Sequence, residues 1–169
     1  VVDSSFSIVD SFVIKGDEKF ALSSRIDNPE IFKLKLKKDD GDSLNDEIVF
    51  FGSKGKIKID TRLNTFESSA IIDGSKNNDL LEEYKSMSRK FNIQNLELLK
   101  NYLEAQKNKN DFLVDSFKKR LDNLTKRKYL YTLNYAKTNA NNIISPYLMI
   151  SEMSNANPDF MDTIAKEMT

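Results

Sequence analysis

The hydrophobic period of this chain changes near Gly74-Ser75, and that change constrains the fold more than anything else in it. Before it, apolar residues recur at every second position in short runs broken by turn residues. After it, they recur every three to four positions in long runs. A strand buries one face with period two and a helix buries one stripe with period 3.6. The pattern therefore predicts an α+β chain: an antiparallel β unit over residues 1–74 and a helical unit over 77–169.

Within the first unit, Phe12-Val13-Ile14 is a short β-prone run closed by Gly16-Asp17. Phe20, Leu22, Ser24 and Ile26 alternate until Asn28-Pro29. Phe32, Leu34 and Leu36 alternate strictly with Lys33, Lys35 and Lys37, which predicts a half-buried strand with a lysine face. Asp39-Asp40-Gly41-Asp42 is turn chemistry. Ile48-Val49-Phe50-Phe51 reads as a central strand buried on both faces, Gly52 to Gly55 as a turn, and 56–60 and 70–72 as further strands. Strands this short and this regularly spaced predict a small antiparallel β-sandwich or partial barrel.

Beyond Gly74, Leu80, Tyr84, Met87 and Phe91 form one helical stripe, capped by Asn77 or Asn78. Leu98, Tyr102 and Ala105 continue it after an interruption at Asn92 to Asn95. After a turn at Asn108 to Asp111, Leu113, Phe117, Leu121, Leu124, Tyr131 and Tyr135 mark a second helix, with Lys128 where an apolar residue is expected. The short turn makes 78–107 and 112–138 an antiparallel helical hairpin. Ser145-Pro146 and Asn157-Pro158 open two shorter C-terminal helices, through Met153 and Met168.

The chain has no histidine, cysteine or tryptophan. That excludes Ser-His-Asp and Cys-His catalysis, thiol redox chemistry and an ordinary zinc site. Basic and acidic residues balance at 26 each, so no net field draws nucleic acid or an acidic partner. No apolar run is long enough to span a membrane. The chain opens at Val1 without a methionine or a signal-like segment and ends mid-pattern at Thr169, as expected of a piece of a longer protein.

The remaining chemistry-bearing clusters each have a plainer reading. Glu82 and Glu83 are adjacent, point apart, and suit a helix start. Asp39, Asp40, Asp42, Asp46 and Glu47 are acidic enough for calcium, but counting back from Gly41 puts Leu36 and Lys38 at ligand positions of an EF-hand loop, so a solvated hairpin loop is expected. Lys118-Lys119-Arg120 and Lys126-Arg127-Lys128 are split across helix faces and predict a charged flank, not a nucleic-acid surface. Gly52-Ser53-Lys54-Gly55 and Gly74-Ser75-Lys76 lack phosphate-loop spacing. Tyr84, Phe91, Tyr102, Phe117, Tyr131 and Tyr135 read as helix–helix core before ligand pocket. No catalytic, cofactor-binding or metal residue is expected, and the chain is not expected to be an enzyme.

Several landmarks occur together: Asp10-Ser11, Phe20, Asn28-Pro29-Glu30-Ile31-Phe32, Ile48-Val49-Phe50-Phe51, Gly55 to Asp60, Ile72 to Asn78, and Asn139 to Leu148. Their order resembles the uncharacterised N-terminal domain that precedes the thioredoxin-like module of envelope thiol–disulfide oxidoreductases in Bacteroidetes-type bacteria. The resemblance implies an exported protein of a Gram-negative cell envelope, with a lipid anchor upstream and a thioredoxin-like domain downstream of Thr169. The first strand of that family would lie before Val1. No CxxC is present, so any redox activity of a parent protein lies elsewhere.

The expectation is a non-catalytic accessory or scaffold domain that positions that neighbour or a protein partner, with the helical hairpin as spacer or homodimer surface. The alternative is a small-molecule or peptide ligand-binding module with a pocket between the β unit and the helices.

Overall fold

A computed structural model describes residues 7–16, 18–39, 41, 46–153 and 158–167 of the chain. The order is β1 (Glu30–Lys35), β2 (Glu47–Gly52), β3 (Lys58–Asp60), β4 (Ile71–Asp73), α1 (Lys76–Lys107), α2 (Asp111–Thr138), α3 (Ile144–Ser151) and α4 (Pro158–Glu167). The α+β class and its order are as the change of period requires. Among the described residues the β part is two separate two-stranded antiparallel sheets, β1–β2 and β3–β4.

The expected strands at 12–14 and 20–26 do not form; residues 7–16 and 18–29 carry no strand. They approach each other as a loose hairpin. Phe12 stacks on Phe20 with ring centroids 5.3 Å apart, and Asp10 accepts from the Ser23 amide at 3.3 Å. Ile8, Val9, Val13 and Ile14 stay exposed. A ladder needs a neighbour in register as well as alternating side chains, and among the described residues no strand pairs with this stretch.

In the β1–β2 pair, Ile31 faces Phe51, Phe32 faces Phe50, Lys33 faces Val49 and Leu34 faces Ile48. The period-two face of Phe32, Leu34 and Leu36 is half-buried, with Phe32 stacked on Phe50 at 5.8 Å. The main helical core takes the other face, through Phe51 and Ile31. That face also carries Lys33 and Lys35, which reach Glu47 at 2.7 and 3.1 Å. β2 is buried on both faces, through Ile48 and Phe51, but among the described residues it is not a central strand: β1 lies on one edge and helix α1 on the other.

The α1 edge follows from ladder geometry. The Leu36 amide donates to the Asp46 carbonyl at 2.8 Å, so the alternation of antiparallel pairs turns the backbone groups of Val49 and Phe51 away from β1. Side chains of α1 meet them. Asn78 accepts from the Phe51 amide at 2.7 Å and donates to the Phe51 carbonyl at 2.9 Å, and Lys85 donates to the Val49 carbonyl at 3.1 Å. Neither Asn77 nor Asn78 caps the helix. Ser75 holds the N-cap position, without a side-chain bond.

Gly74 makes the joint between β4 and α1. Its φ is +102°, and a Cβ there would run into the Lys56 carbonyl oxygen, so only glycine fits.

α1 is continuous through 92–95, where an interruption was expected. Asn110 caps α2 by accepting from the Leu113 amide at 3.1 Å. α1 and α2 pack along their length, α3 folds back onto α2, and α4 adds the buried Ile164. The core joins Phe51, Leu81, Tyr84, Tyr135, Ala136, Ile144, Leu148, Met149 and Ile164. Asn157 and Met168 lie outside the described residues.

Candidate functional site

The sequence clusters that could have carried chemistry are mostly neutralised inside the fold. Of the acidic group, Asp40 and Asp42 lie outside the described residues. Asp46 is buried with Lys38 at 3.1 Å, and Glu47 sits between Lys33 and Lys35. The bond from Lys33 holds the Glu47 carboxyl below its usual range. These carboxylates are spent on lysines. Among the described residues no three metal-ligating side chains converge.

Glu82 is exposed and pairs with Arg89. Glu83 instead accepts from the Tyr135 hydroxyl at 3.2 Å, and that hydroxyl also donates to the Leu80 carbonyl at 2.8 Å.

The aromatic set divides. Tyr84, Phe91, Tyr131 and Tyr135 stack between α1 and α2, with centroids 5.6–5.9 Å apart. The Tyr84 hydroxyl lies 2.9 Å from Thr132 Oγ1. Burial pushes the Tyr84 phenol up to about 12 and raises Tyr131 and Tyr135 as well. Phenols held neutral in this way are packing groups, not bases. Tyr102 and Phe117 sit farther along the hairpin, Tyr102 bonded to Gln106 and Phe117 under Arg120.

Ser145 is fully buried and its hydroxyl has no partner among the described residues; a nucleophilic serine needs a base beside it. The basic clusters do not merge: Lys118, Lys119, Lys126 and Arg127 are exposed. Lys128 turns inward to Asn92 (3.5 Å) and Glu152 (3.9 Å), tying α2 to α1 and the end of α3.

Among the described residues, two surface features stand out on the far half of the hairpin. An open cleft of about 440 Å³ lies between α1 and α2, lined by Gln94, Glu97, Asn101, Arg120, Asn123 and Arg127 over Leu98 and Leu124. It lies away from the β unit, where the alternative reading placed a pocket, and Glu97 offsets part of the charge of its two arginines.

The other feature is an apolar stripe that the sequence reading missed. Ile93, Leu96, Leu99 and Leu103 are 65, 66, 40 and 54% exposed on the face of α1 that turns away from α2. Its signal was present in the sequence as a second 3–4 spacing interleaved with Leu98, Tyr102 and Ala105. Four large aliphatic side chains in one row form a patch on the order of a few hundred Å², the size at which exposed apolar surface on a monomer is commonly functional.

No helix among the described residues is long and apolar enough to cross a membrane. No curated protein and no solved structure matches the chain. The matching family model ends at Leu81, inside α1, and so takes in Asn78, the residue that closes the outer edge of β2. Over residues 1–81 the chain is similar to the family described as a Domain of unknown function (DUF4369).

Proposed function

We infer that this chain is a non-catalytic accessory domain of an exported envelope protein, and that it holds a neighbouring thioredoxin-like domain or a protein partner against the far half of its helical hairpin. The observation that carries the reading is the row Ile93, Leu96, Leu99 and Leu103, left uncovered among the described residues on a helix whose other face packs against α2. The family similarity over residues 1–81, to a domain of unknown function, is compatible with an accessory role; the envelope setting rests on the order of landmarks in the sequence alone. The clusters with chemical potential are consumed by ion pairs and packing, which leaves surface as the means of action.

A photo-reactive amino acid at Leu99, compared with one at the exposed Lys119 on α2, tests this in cells making the full-length protein. Protein adducts from position 99 that exceed those from position 119 are expected. Equal labelling from the two positions removes the docking role.

A further inference from the structure

We propose that the cleft between α1 and α2 binds an acidic peptide segment in the polyproline II conformation, with one carboxylate on Arg120 and a second on Arg127. The site goes beyond the docking reading above and does not depend on it. The apolar row lies on the face of α1 turned away from α2, whereas the cleft lies between the two helices.

The two ends of the cleft carry the same chemistry. Gln94 and Asn101 are seven residues apart on α1, and Arg120 and Arg127 are seven apart on α2. Seven residues are two helical turns, a rise of about 10 Å. Lys128 against Asn92 and Tyr131 against Phe91 fix the level of the antiparallel pair. Gln94 therefore comes level with Arg127, and Asn101 with Arg120. Each end presents one guanidinium beside one carboxamide, and the floor between them is Leu98 and the buried Leu124.

These four polar side chains make no hydrogen bond and no ion pair among the described residues. Arg120 is steadied from one side only, by the Phe117 ring, whose centroid lies 5.5 Å from the guanidinium carbon. Glu97 shares the cleft and pairs with neither arginine. Elsewhere Lys33, Lys35 and Arg89 each hold the carboxylate within their reach. The cleft keeps its charges apart and its amides open.

The class of ligand follows from the spacing and from Glu97. A guanidinium takes a carboxylate or a phosphate through two parallel hydrogen bonds. Glu97 opposes a compact polyanion such as triphosphate, so the acid groups belong at the two ends, about 10 Å apart, with an uncharged stretch between. A polyproline II chain has about three residues per turn and rises about 3.1 Å per residue, so side chains three apart share a side and lie about 9 Å apart. A carboxamide donates and accepts at once, as a peptide group does, and the leucine floor receives the apolar residues between the two acids.

A nitrogen–proton correlation titration of the chain with the blocked tetrapeptide Glu-Pro-Pro-Glu tests this. Saturable shifts of the Gln94 and Asn101 carboxamides and of the Arg120 and Arg127 Nε signals are expected, with a dissociation constant on the order of 0.1–1 mM. R120Q and R127Q should each weaken binding about tenfold. E97Q should tighten it, and K119Q, outside the cleft on the same helix, should leave it unchanged. All these side chains are exposed, so circular dichroism should not change in any variant. A loss in K119Q equal to that in R127Q shows attraction to general charge and overturns the site, as does equal binding of blocked Gln-Pro-Pro-Gln. Inorganic triphosphate binding the cleft more tightly than the peptide refutes the peptide class. The absence of any saturable shift refutes the site altogether and leaves the docking role of the apolar row untouched.

Discussion

Replacing Asn78 should separate a structural tie from a mere helix-start preference. Its amide makes two hydrogen bonds, 2.7 and 2.9 Å, to the amide and carbonyl of Phe51, and both residues are buried. Asn78→Ala leaves both backbone groups without a partner. Each such group costs about 1–3 kcal/mol when left unsatisfied. A water entering the vacated space can bridge the two, which puts the expected loss near the lower end, about 2–4 kcal/mol.

Asn78→Asp is the sharper test. A carboxylate oxygen still accepts from the Phe51 amide, but the other oxygen now opposes the Phe51 carbonyl unless it carries a proton. The folded state therefore raises the pKa of the introduced carboxyl above its ordinary ~3.9. A raised folded pKa contributes stability that is present below the unfolded value and lost as pH rises through the folded one. Relative to the parent chain, N78D should be mildly affected near pH ~4 and should fall progressively toward pH ~7, whereas the N78A deficit stays flat. Urea unfolding followed by circular dichroism measures both, with an unchanged denaturant slope as the control for compactness. A loss under about 0.5 kcal/mol in N78A, or an N78D deficit independent of pH, would falsify the edge-closing role.

At alkaline pH the tyrosine cluster should govern stability. Tyr84, Tyr131, Tyr135 and Tyr147 all have phenols raised first by burial, Tyr84 to about 12. Their contribution is complete below the ordinary value near 10 and is lost as pH rises through the folded values. Lys85, lowered by burial, acts in the opposite direction as a single group. The melting temperature should fall steeply above about pH 10, with phenolate absorbance appearing together with unfolding; phenolate formed well before unfolding argues against burial of these rings. Gly74→Ala should cost at least about 2 kcal/mol, because positive φ and the Lys56 carbonyl both oppose it; an unchanged denaturation midpoint counts against that joint. Lys128→Leu should be neutral or stabilising by up to about 1 kcal/mol, since the half-exposed bridge it removes is weak. A loss of more than about 2 kcal/mol would make Lys128 an essential tie.

The parts legible in the sequence were those that depend on local period. The helices expected at 78–107 and 112–138 are found at Lys76–Lys107 and Asp111–Thr138, because a stripe repeated over many turns reports itself. Alternation at Phe20, Leu22, Ser24 and Ile26 was equally regular but named no neighbour, and without one no strand formed. Asn78 looked like a cap because asparagine near a helix start usually is one. Its real partner is 27 residues back in sequence, which spacing cannot reveal. The stripe at Leu96, Leu99 and Leu103 was hidden by the other one: two apolar rows on opposite faces of one helix blur the amphipathic contrast by which either is recognised.

The closure of β2 by α1 has a consequence for the order in which the protein is made. A two-stranded hairpin is marginal alone, and this one has its outer edge satisfied by residues 78 and 85. On a ribosome, β1 and β2 emerge before those residues do. Until the first turns of α1 have emerged, the amide and carbonyl of Phe51 and the carbonyl of Val49 can be met only by water or by another chain. The interval is about thirty residues of synthesis, on the order of a few seconds. In that interval Ile48 to Phe51 is open to wrong pairing, and the arrival of Asn78 and then Lys85 ends the hazard.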